Sequence, residues 1–369
     1  MVMTKSLCEI CSPKQWKTIS TEMLTTEGYP VYGANGVIGF FSEYNHKEPT
    51  LLVTCRGATC GSLNICEPYS YVNGNAMALD NLIDEVDIHF LYYYLLNRGF
   101  EDVITGSAQP QIVRQSLQKI SVTYPSKEKQ KEIVTTLEKV CELIALRKEQ
   151  LAKLDQLVKS RFVELFGDPK KNEKGWEKGI VSDYYNVKGG KRIPKGMGYA
   201  DGITNHPYLR ATDMKNETIV DDDIHYIDED VFQHIKRYTV NAGDIYLTNV
   251  GVHLGMAGVI PEKYHGASLT ENAVKLVPKT ERVLTGKFLA YYINSPGIQD
   301  YINERKMAVG VPKLAIFRIE TMPLILPPME LQNQFTAFVE QVDKSKLAIQ
   351  QSLDKLELLK KSLMQEYFG

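Results

Sequence analysis

The stretch that decides the fold runs from Pro125 to Gly167 and reads PSKEKQKEIVTTLEKVCELIALRKEQLAKLDQLVKSRFVELFG. It recurs later in the chain, because residues 106–167 align without a gap on residues 308–369 at a constant offset of 202. The two segments share 15 identical positions, whereas average composition would give roughly four. The chain therefore consists of two copies of one unit, each a variable globular part followed by a better-matched tail.

Each tail is predicted to be a long helix of a coiled coil. From residue 137 to residue 165 the seam positions alternate in spacings of four and three, and the second tail keeps the same phase. Polar residues at this seam face apolar residues at the matching place in the other copy, as in Arg147 against Ile349 and Lys346 against Ile144. This favours two non-identical helices of one intramolecular coiled coil. Lys and Arg side chains whose aliphatic stems lie at the edge of the seam would give the same sequence pattern. A solvated surface helix with one buried face is the alternative, and it does not explain the recurrence.

The globular parts are predicted to be α+β domains built on strongly curved β-sheets. Short β-rich runs at 51–54, 244–248 and 273–277 lie between glycine and asparagine turns, and a short tyrosine-rich helix follows in each copy. The expected fold is thus two such domains, separated by two long antiparallel helices that form an intramolecular coiled coil with an internal pseudo-twofold repeat. We set the boundaries at 1–125 for the first domain, 126–167 for the first long helix, 168–327 for a linker and the second domain, and 328–369 for the second long helix.

Composition restricts the class of protein. The 369 residues contain neither an apolar run of membrane-spanning length nor a secretory signal at the start, so we expect a cytoplasmic protein with no membrane partner. The six cysteines are few for this length and are expected to be reduced thiols. With 43 Lys and Arg against 45 Asp and Glu, the net charge of −2 argues against binding nucleic acid through bulk charge alone. Nucleic-acid binding through a local basic cleft is still compatible with this net charge.

The motifs of DNA-modifying and ATP-hydrolysing enzymes are missing from the sequence. There is no glycine-rich turn for a sulfonium cofactor and no Asn/Asp-Pro-Pro-aromatic loop to hold a flipped base. The run Gly189-Gly-Lys-Arg192 lacks both the earlier glycine and the Ser or Thr of a phosphate loop. We therefore expect a non-enzyme with no catalytic residue and no cofactor.

Two patterns could suggest a metal. Cys8-x-x-Cys11 has the spacing of half a zinc site that Cys55 and Cys60 could complete, but the spacing is looser than a paired Cys-x-x-Cys repeat. The acidic run 221–223 alternates faces on a strand and is typical of a solvated turn. We predict no metal site.

What remains is a set of polar residues on glycine-flexed loops, which we interpret as a surface that binds DNA. The run 188–195 places four cations where the backbone can approach a phosphate, and Tyr208-Leu-Arg-Ala-Thr212 alternates like a strand that presents three polar residues on one face. A solvated charged turn, an arginine paired with a neighbouring carboxylate and an ordinary asparagine turn are the alternatives. The candidate DNA-binding residues are Tyr32, Asn35, Arg56, Thr59, Asn73 and Asn75 in the first copy, and Lys188, Lys191, Arg192, Lys195, Tyr208, Arg210, Thr212, Asn249, His253 and Asn272 in the second.

Several motifs in this order resemble a known family. They are Tyr29-Pro-Val-Tyr-Gly-Ala-Asn-Gly36, Cys55-Arg-Gly-Ala-Thr-Cys-Gly61, Pro207-Tyr-Leu-Arg-Ala-Thr-Asp213, Ala242-Gly-Asp-Ile-Tyr-Leu-Thr248, and Pro-x-x-Glu-x-Gln before each long helix. Over essentially its whole length the chain resembles the specificity subunit of type I restriction-modification enzymes. The resemblance implies two target-recognition domains that each read one half of a split double-stranded DNA site. It also implies that the paired helices separate these domains and dock two methyltransferase subunits, which restriction subunits join.

One departure and one competing function accompany this resemblance. The first copy begins without a counterpart of Gly175-Trp176, which leaves a trimmed first strand or a recombined variant open. A coiled-coil scaffold that joins two protein-binding domains is the alternative function. A stand-alone nuclease or methyltransferase is disfavoured by the missing motifs.

Overall fold

The computed structural model describes residues 2–106, 109–280, 283–307 and 310–369. The chain divides into two compact units, Met1–Glu149 with Gln350–Gly369, and Gln150–Ile349. Each long helix is therefore shared between the units. Among the described helices, none combines the length and apolar character that crossing a lipid bilayer requires.

The first unit contains three sheets and three short or medium helices besides the long ones. Its strands are β1 (Met3–Ser6), β2 (Ser12–Gln15), β3 (Tyr29–Gly33), β4 (Gly36–Phe41), β5 (Thr50–Thr54), β6 (Leu63–Cys66), β7 (Tyr71–Val72), β8 (Ala76–Asp80) and β9 (Ser121–Tyr124). Its helices are α1 (Leu7–Ile10), α2 (Ile88–Arg98), α3 (Arg114–Leu117) and the first part of α4 (Lys127–Phe166). Strands β2-β8-β5-β6 form an antiparallel sheet, and β3 lies between antiparallel β4 and parallel β7.

The second unit has a larger set of elements. Its strands are β10 (Glu177–Ile180), β11 (Tyr185–Gly189), β12 (Pro207–Leu209), β13 (Met214–Lys215), β14 (Thr218–Ile219), β15 (His225–Tyr226), β16 (Ile245–Thr248), β17 (Ala257–Val259), β18 (Ser268–Leu269), β19 (Ala273–Pro278) and β20 (Pro323–Leu326). Its helices are α5 (Val181–Tyr184), α6 (Glu229–Ile235), α7 (Gly286–Ile293), α8 (Pro296–Arg305), α9 (Ile316–Glu320) and the first part of α10 (Met329–Phe368).

The sheets of the two units share one topology. The order β11-β19-β16-β17 repeats β2-β8-β5-β6, and β12 lies between antiparallel β15 and parallel β18 as β3 lies between β4 and β7. Register fixes the correspondence, since Thr54 pairs with Ala76 where Thr248 pairs with Ala273. The predicted α+β class and internal repeat are confirmed, and so are the strands at 51–54, 244–248 and 273–277 and the tyrosine-rich helices α2 and α7. The β13–β14 hairpin, α6 and α8 are additions in the second copy.

The first strand of the first copy is present. Strand β1 pairs antiparallel with β9 over four residues, as β10 pairs with β20 in the second copy. A trimmed first strand, one of the two alternatives left open by the sequence, is therefore wrong.

The long helices run antiparallel in both units. In the first unit Lys148 Nζ lies 2.9 Å from Glu357 Oε1, while Leu137 shares a buried cluster with Met364. In the second unit the ring centroids of Phe162 and Phe335 are 5.5 Å apart. Partner numbers on one helix fall as those on the other rise, which confirms the predicted antiparallel pair.

Each globular core is closed by a phenylalanine from the end of a long helix. Phe166, the last residue of α4, is fully buried with its ring centroid 4.7 Å from that of Phe288 on α7. Phe368, the last residue of α10, packs at 5.4 Å against Phe90 on α2. The helix that follows one globular part therefore completes the core of the other.

A buried glutamine ties the start of each long helix to the segment before the tyrosine-rich helix. Gln130 accepts a hydrogen bond from the Asp87 backbone N–H at 2.8 Å and donates to the carbonyls of Glu85 and Pro125 at 2.8 and 2.9 Å. Gln332 makes the same three bonds, from Thr285 N–H at 2.8 Å and to Val283 and Pro327 at 3.0 and 2.8 Å. Both side chains are fully buried. The amide is the one neutral group that supplies an acceptor and two donors here.

Replacement of this glutamine is expected to destabilise the protein. Gln332→Leu leaves one N–H and two carbonyl groups unpaired in a buried position, which should lower the free energy of unfolding by about 3 kcal/mol. Gln341→Leu on the exposed face of the same helix is the matched control and should change it by less than about 0.5 kcal/mol. Urea unfolding of both variants checks this, and equal midpoints would contradict the role of the glutamine.

Candidate nucleic-acid interface

In the first unit, backbone hydrogen bonds join three segments, residues 55–57, residue 75 and residues 110–112, which together we call the junction. The N–H of Cys55, which follows β5, donates to the carbonyl of Asn75 before β8 at 3.1 Å. A strap from the region before α3 closes the junction, since Gly57 N–H donates to Pro110 and Ile112 N–H donates to Cys55, at 3.1 and 3.0 Å. These bonds all run through the main chain.

The second unit repeats this junction bond for bond. Asn249 N–H donates to the Asn272 carbonyl at 2.9 Å, Gly251 N–H to Pro312 at 2.9 Å, and Leu314 N–H to Asn249 at 2.8 Å. The side chains at matching positions differ, while the backbone arrangement is shared. Such a frame can present different polar groups without a change of fold.

The candidate residues of the first copy gather at this junction with two degrees of exposure. Asn35, Arg56, Thr59 and Asn75 are exposed, whereas Tyr32 and Asn73 are buried. The Asn73 amide donates to the Ile19 carbonyl at 3.3 Å and accepts from Gly74 N–H at 2.8 Å. These two contacts occupy Asn73 within the protein, so its side chain supports the loop.

The basic loop of the second copy, residues 188–195, is anchored by its backbone and exposes its cations. Lys188, Lys191, Arg192 and Lys195 are all exposed. Gly190 N–H donates to Ala273 at 3.0 Å, and a Cβ on Gly190 would lie 2.0 Å from the Thr270 carbonyl oxygen. Only glycine permits this approach, because any side chain would collide with the Thr270 carbonyl. The glycine therefore lets the loop pack closely against the ends of β18 and β19.

A cleft of about 510 Å³ brings together candidates that are distant in sequence. The exposed Arg192 donates from Nε to Glu271 Oε1 at 2.6 Å, and the buried Tyr208 donates its hydroxyl to the Lys191 carbonyl at 2.9 Å. Burial raises the pKa of Tyr208 to about 12, which keeps this hydroxyl a donor. The cleft lining includes the candidates Arg192, Tyr208, Arg210, Thr212 and Asn272.

The predicted strand over 208–212 is wrong. Strand β12 ends at Leu209, and residues 211–213 form a single 3₁₀ turn. Arg210 begins this turn and donates from Nη2 to Asp213 Oδ1 at 2.8 Å and to Asp223 Oδ2 at 3.0 Å. The hydrogen bond that Arg210 donates to the Asp213 carboxylate raises the pKa of Arg210 above its usual value. Arg210 thus matches the alternative of an arginine paired with neighbouring carboxylates, while Thr212 is exposed.

The remaining candidates of the second copy lie at the junction. Asn249 is buried, and its amide lies 3.4 Å from the Leu314 carbonyl. His253 is half-buried, and its carbonyl accepts a hydrogen bond from the Thr248 hydroxyl. Asn272 is half-buried in the cleft. Of these three, Asn272 is the one whose side chain lines the cleft.

Cys55 and Asp221 form hydrogen bonds within the protein. Cys55 Sγ accepts from Gln15 Nε2 at 2.9 Å, and burial raises the pKa of Cys11 to about 12, which disfavours the thiolate that zinc requires. Asp221 binds Lys263 and the Tyr264 hydroxyl. Within the described ranges, no three His, Cys, Asp or Glu residues come together as a metal site.

The first copy has a counterpart of the basic loop that is not among the residues predicted from the sequence. Ala76 on β8 and Ala273 on β19 are equivalent by strand register. Two residues further along these strands, Ala78 pairs with Lys14 on β2 and Lys275 pairs with Lys188 on β11. Lys14 and Lys188 are therefore equivalent, at an offset of 174 in the sequence. The spacing Lys14-x-x-Lys17 against Lys188-x-x-Lys191 was the available signal, but it does not fit the offsets of the other repeats.

Comparison with known proteins agrees with this geometry. The model of the type I restriction modification DNA specificity domain matches residues 1–156 and 173–359. The type I restriction enzyme MjaIX specificity subunit of Methanocaldococcus jannaschii is 23% identical over 339 residues, covering 85% of this chain and 76% of that protein. The crystal structure of a type I restriction-modification S subunit from M. genitalium superposes with a TM-score of 0.62 at 17% identity, covering 100% of this chain and 96% of that one.

A second solved structure shares the fold. It is a chain from work on complex assembly and conformational transition of the type I restriction-modification system, with a TM-score of 0.60, 15% identity, and coverage of 100% of this chain and 97% of that one. The family model covers most of the sequence in two segments, one for each structural repeat. The chain therefore belongs to the family of type I restriction-modification DNA specificity proteins.

Proposed function

We propose that this chain reads a bipartite double-stranded DNA site, one half-site per globular domain, as the specificity subunit of a type I restriction-modification enzyme. The observation that carries this proposal is the junction that is built twice with the same backbone bonds and different side chains. Two similar frames with different exposed groups suit the reading of two different base sequences. The proposed target-recognition domains are residues 1–125 and 168–327, and the helices 126–167 and 328–369 connect them.

The candidate residues divide into contact and support roles in this proposal. The exposed side chains contact DNA, with Asn35, Arg56, Thr59, Asn75, Thr212 and the cations of the basic loop as the set. The buried side chains of Tyr32, Asn73, Tyr208 and Asn249 position the loops. Arg210 is held by two carboxylates and acts in the same way. His253 and Asn272 border the contact surface of the second domain.

The proposal assigns catalysis to partner subunits. The sequence contains no methyltransferase or ATPase motif, and two methyltransferase subunits together with restriction subunits supply that chemistry in the cytoplasm. A net charge of −2 fits a subunit that shares phosphate contacts with its partners, because the salt-dependent part of the affinity belongs to the whole complex. One similar fold comes from work on the assembly of such a system.

Exchange of the second domain tests the one-domain, one-half-site assignment. Replacement of residues 172–327 by the matching domain of a relative should change the bases of one half-site and leave the other unchanged, because separate junctions make separate base contacts. Sequencing of methylated sites in cells that carry the hybrid and its methyltransferase checks this. A change in both half-sites would refute the domain division.

The anchored glycine of the basic loop offers a finer test. Gly190→Ala places a methyl group against the Thr270 carbonyl, so the loop must leave its position and DNA affinity should fall about tenfold or more. Gly198→Ala, three residues beyond this loop, is the control, since a Cβ there meets nothing within 4 Å. Fluorescence anisotropy with target duplex measures both variants in complex with the methyltransferase subunits. Equal affinities of the two variants would exclude the loop from the interface.

A further inference from the structure

The basic edge of the first domain is built like that of the second. Lys14 and Lys188 occupy the same register on the edge strands β2 and β11, as their partners Ala78 and Lys275 show. Three residues further along the chain, each copy has another lysine, Lys17 or Lys191. All four lysines are exposed. The resemblance thus extends from the backbone to the charge.

A buried tyrosine holds the second lysine of each pair. The Tyr71 hydroxyl, on β7, donates to the Lys17 carbonyl at 3.0 Å, and the Tyr208 hydroxyl, on β12, donates to the Lys191 carbonyl at 2.9 Å. Both tyrosines belong to the three-stranded sheet of their own domain and both are buried. The two tyrosines lie on non-equivalent strands of that sheet, but each fixes the backbone at an exposed lysine.

The cations of this edge keep their charge available. Lys14 Nζ lies 3.6 Å from the centroid of the Trp16 ring, and Lys191 Nζ lies 5.9 Å from that of Tyr238. An aromatic face steadies an ammonium group without neutralising it. No ion pair involves Lys14, Lys17, Lys188 or Lys191 within the part of the chain that the structure describes.

The surroundings of Lys14 are cationic as well. Lys14 lines a polar cleft of about 490 Å³ together with Lys47 and Arg114. The carboxylates of this cleft are Glu48 and Asp80, and Asp80 is bound to His46 Nε2 at 2.9 Å and to the Trp16 indole N–H at 3.1 Å. Both oxygens of Asp80 thus accept hydrogen bonds within the protein, and the cleft lining holds the cations Lys14, Lys47 and Arg114 against two carboxylates.

This edge adjoins the recognition junction. Gln15, between the two lysines, donates to the Gly74 carbonyl at 3.2 Å, and Ile19 accepts the Asn73 amide at 3.3 Å. A cation on this edge is therefore next to the loops that carry Asn75 and Arg56. That is where a phosphate backbone runs when a neighbouring base pair is read.

We propose that Lys14 and Lys17 contact the phosphodiester backbone of duplex DNA beside the first half-site, as the counterpart of Lys188 and Lys191 beside the second. The inference rests on the proposed DNA-reading function. Contacts of this kind position the domain on the duplex and carry no base preference. Each domain then has its own phosphate-binding edge and its own base-reading junction.

The test uses the full chain with its methyltransferase subunits and the double variant Lys14→Gln, Lys17→Gln. Binding of a target duplex and of a scrambled duplex is measured by anisotropy over a range of salt concentrations. The slope of log affinity against log salt should fall by about 1.8, since each phosphate contact contributes about 0.9, and both duplexes should lose about fivefold in affinity per lysine at 0.15 M salt. The pair Lys188→Gln, Lys191→Gln should give the same loss.

The control is Lys131→Gln, an exposed lysine in the second turn of α4, which should leave the slope unchanged. Thermal unfolding shows that each variant is folded. If the unaltered complex itself shows no preference for its target, the proposed function fails. If that preference is present but the Lys14/Lys17 variant matches the control, or loses base preference without a change of slope, or loses methyltransferase binding instead of DNA binding, the phosphate-contact assignment is overturned and the proposed function stands.

Discussion

The buried glutamine at the start of each long helix is the constraint on which the rest of each unit depends. Gln130 and Gln332 satisfy one N–H and two carbonyl groups where a strand, a helix start and the loop before α2 or α7 converge. An apolar side chain would leave these backbone groups buried and unpaired. Because the three bonds are the same in both copies, the long helix leaves each domain in the same way, and the tyrosine-rich helix packs beside it.

The far end of each long helix imposes a second condition. Phe166 closes the core that contains Phe288, and Phe368 closes the one that contains Phe90, so each domain core needs the helix that follows the other domain. The first compact unit consists of two separate pieces of chain, Met1–Glu149 and Gln350–Gly369, whereas the second is the continuous segment Gln150–Ile349. The two helices have the same length of 40 residues, and each begins in one unit and ends in the other.

Much of this arrangement is predictable from the sequence, because the seam and the gapless 202-residue repeat are periodic signals. The candidate DNA-binding site is less predictable from the sequence. The strand expected over 208–212 ends at Leu209 because Arg210 starts a tight turn with Asp213, a local ion pair that an alternating pattern does not reveal. Asn73 is of a residue type common in exposed turns, yet its buried side-chain amide donates to the Ile19 carbonyl and accepts from the Gly74 N–H. Lys14 and Lys17 are not predictable from the repeat, because loops of different length change the sequence offset between the two copies. Strand register shows which residues are equivalent.

The junction shows how one fold can serve many DNA sequences. Its bonds join backbone N–H and carbonyl groups, so Cys55 in one copy and Asn249 in the other take the same place, as do Arg56 and Val250. A substitution of the exposed Arg56 changes the side chain that faces solvent and leaves the backbone bonds intact, whereas a change at Gly190 or Gln332 disturbs the backbone arrangement itself. Specificity and stability therefore depend on different residues. Divergent side chains on a constant main chain are the expected result when the two properties change independently.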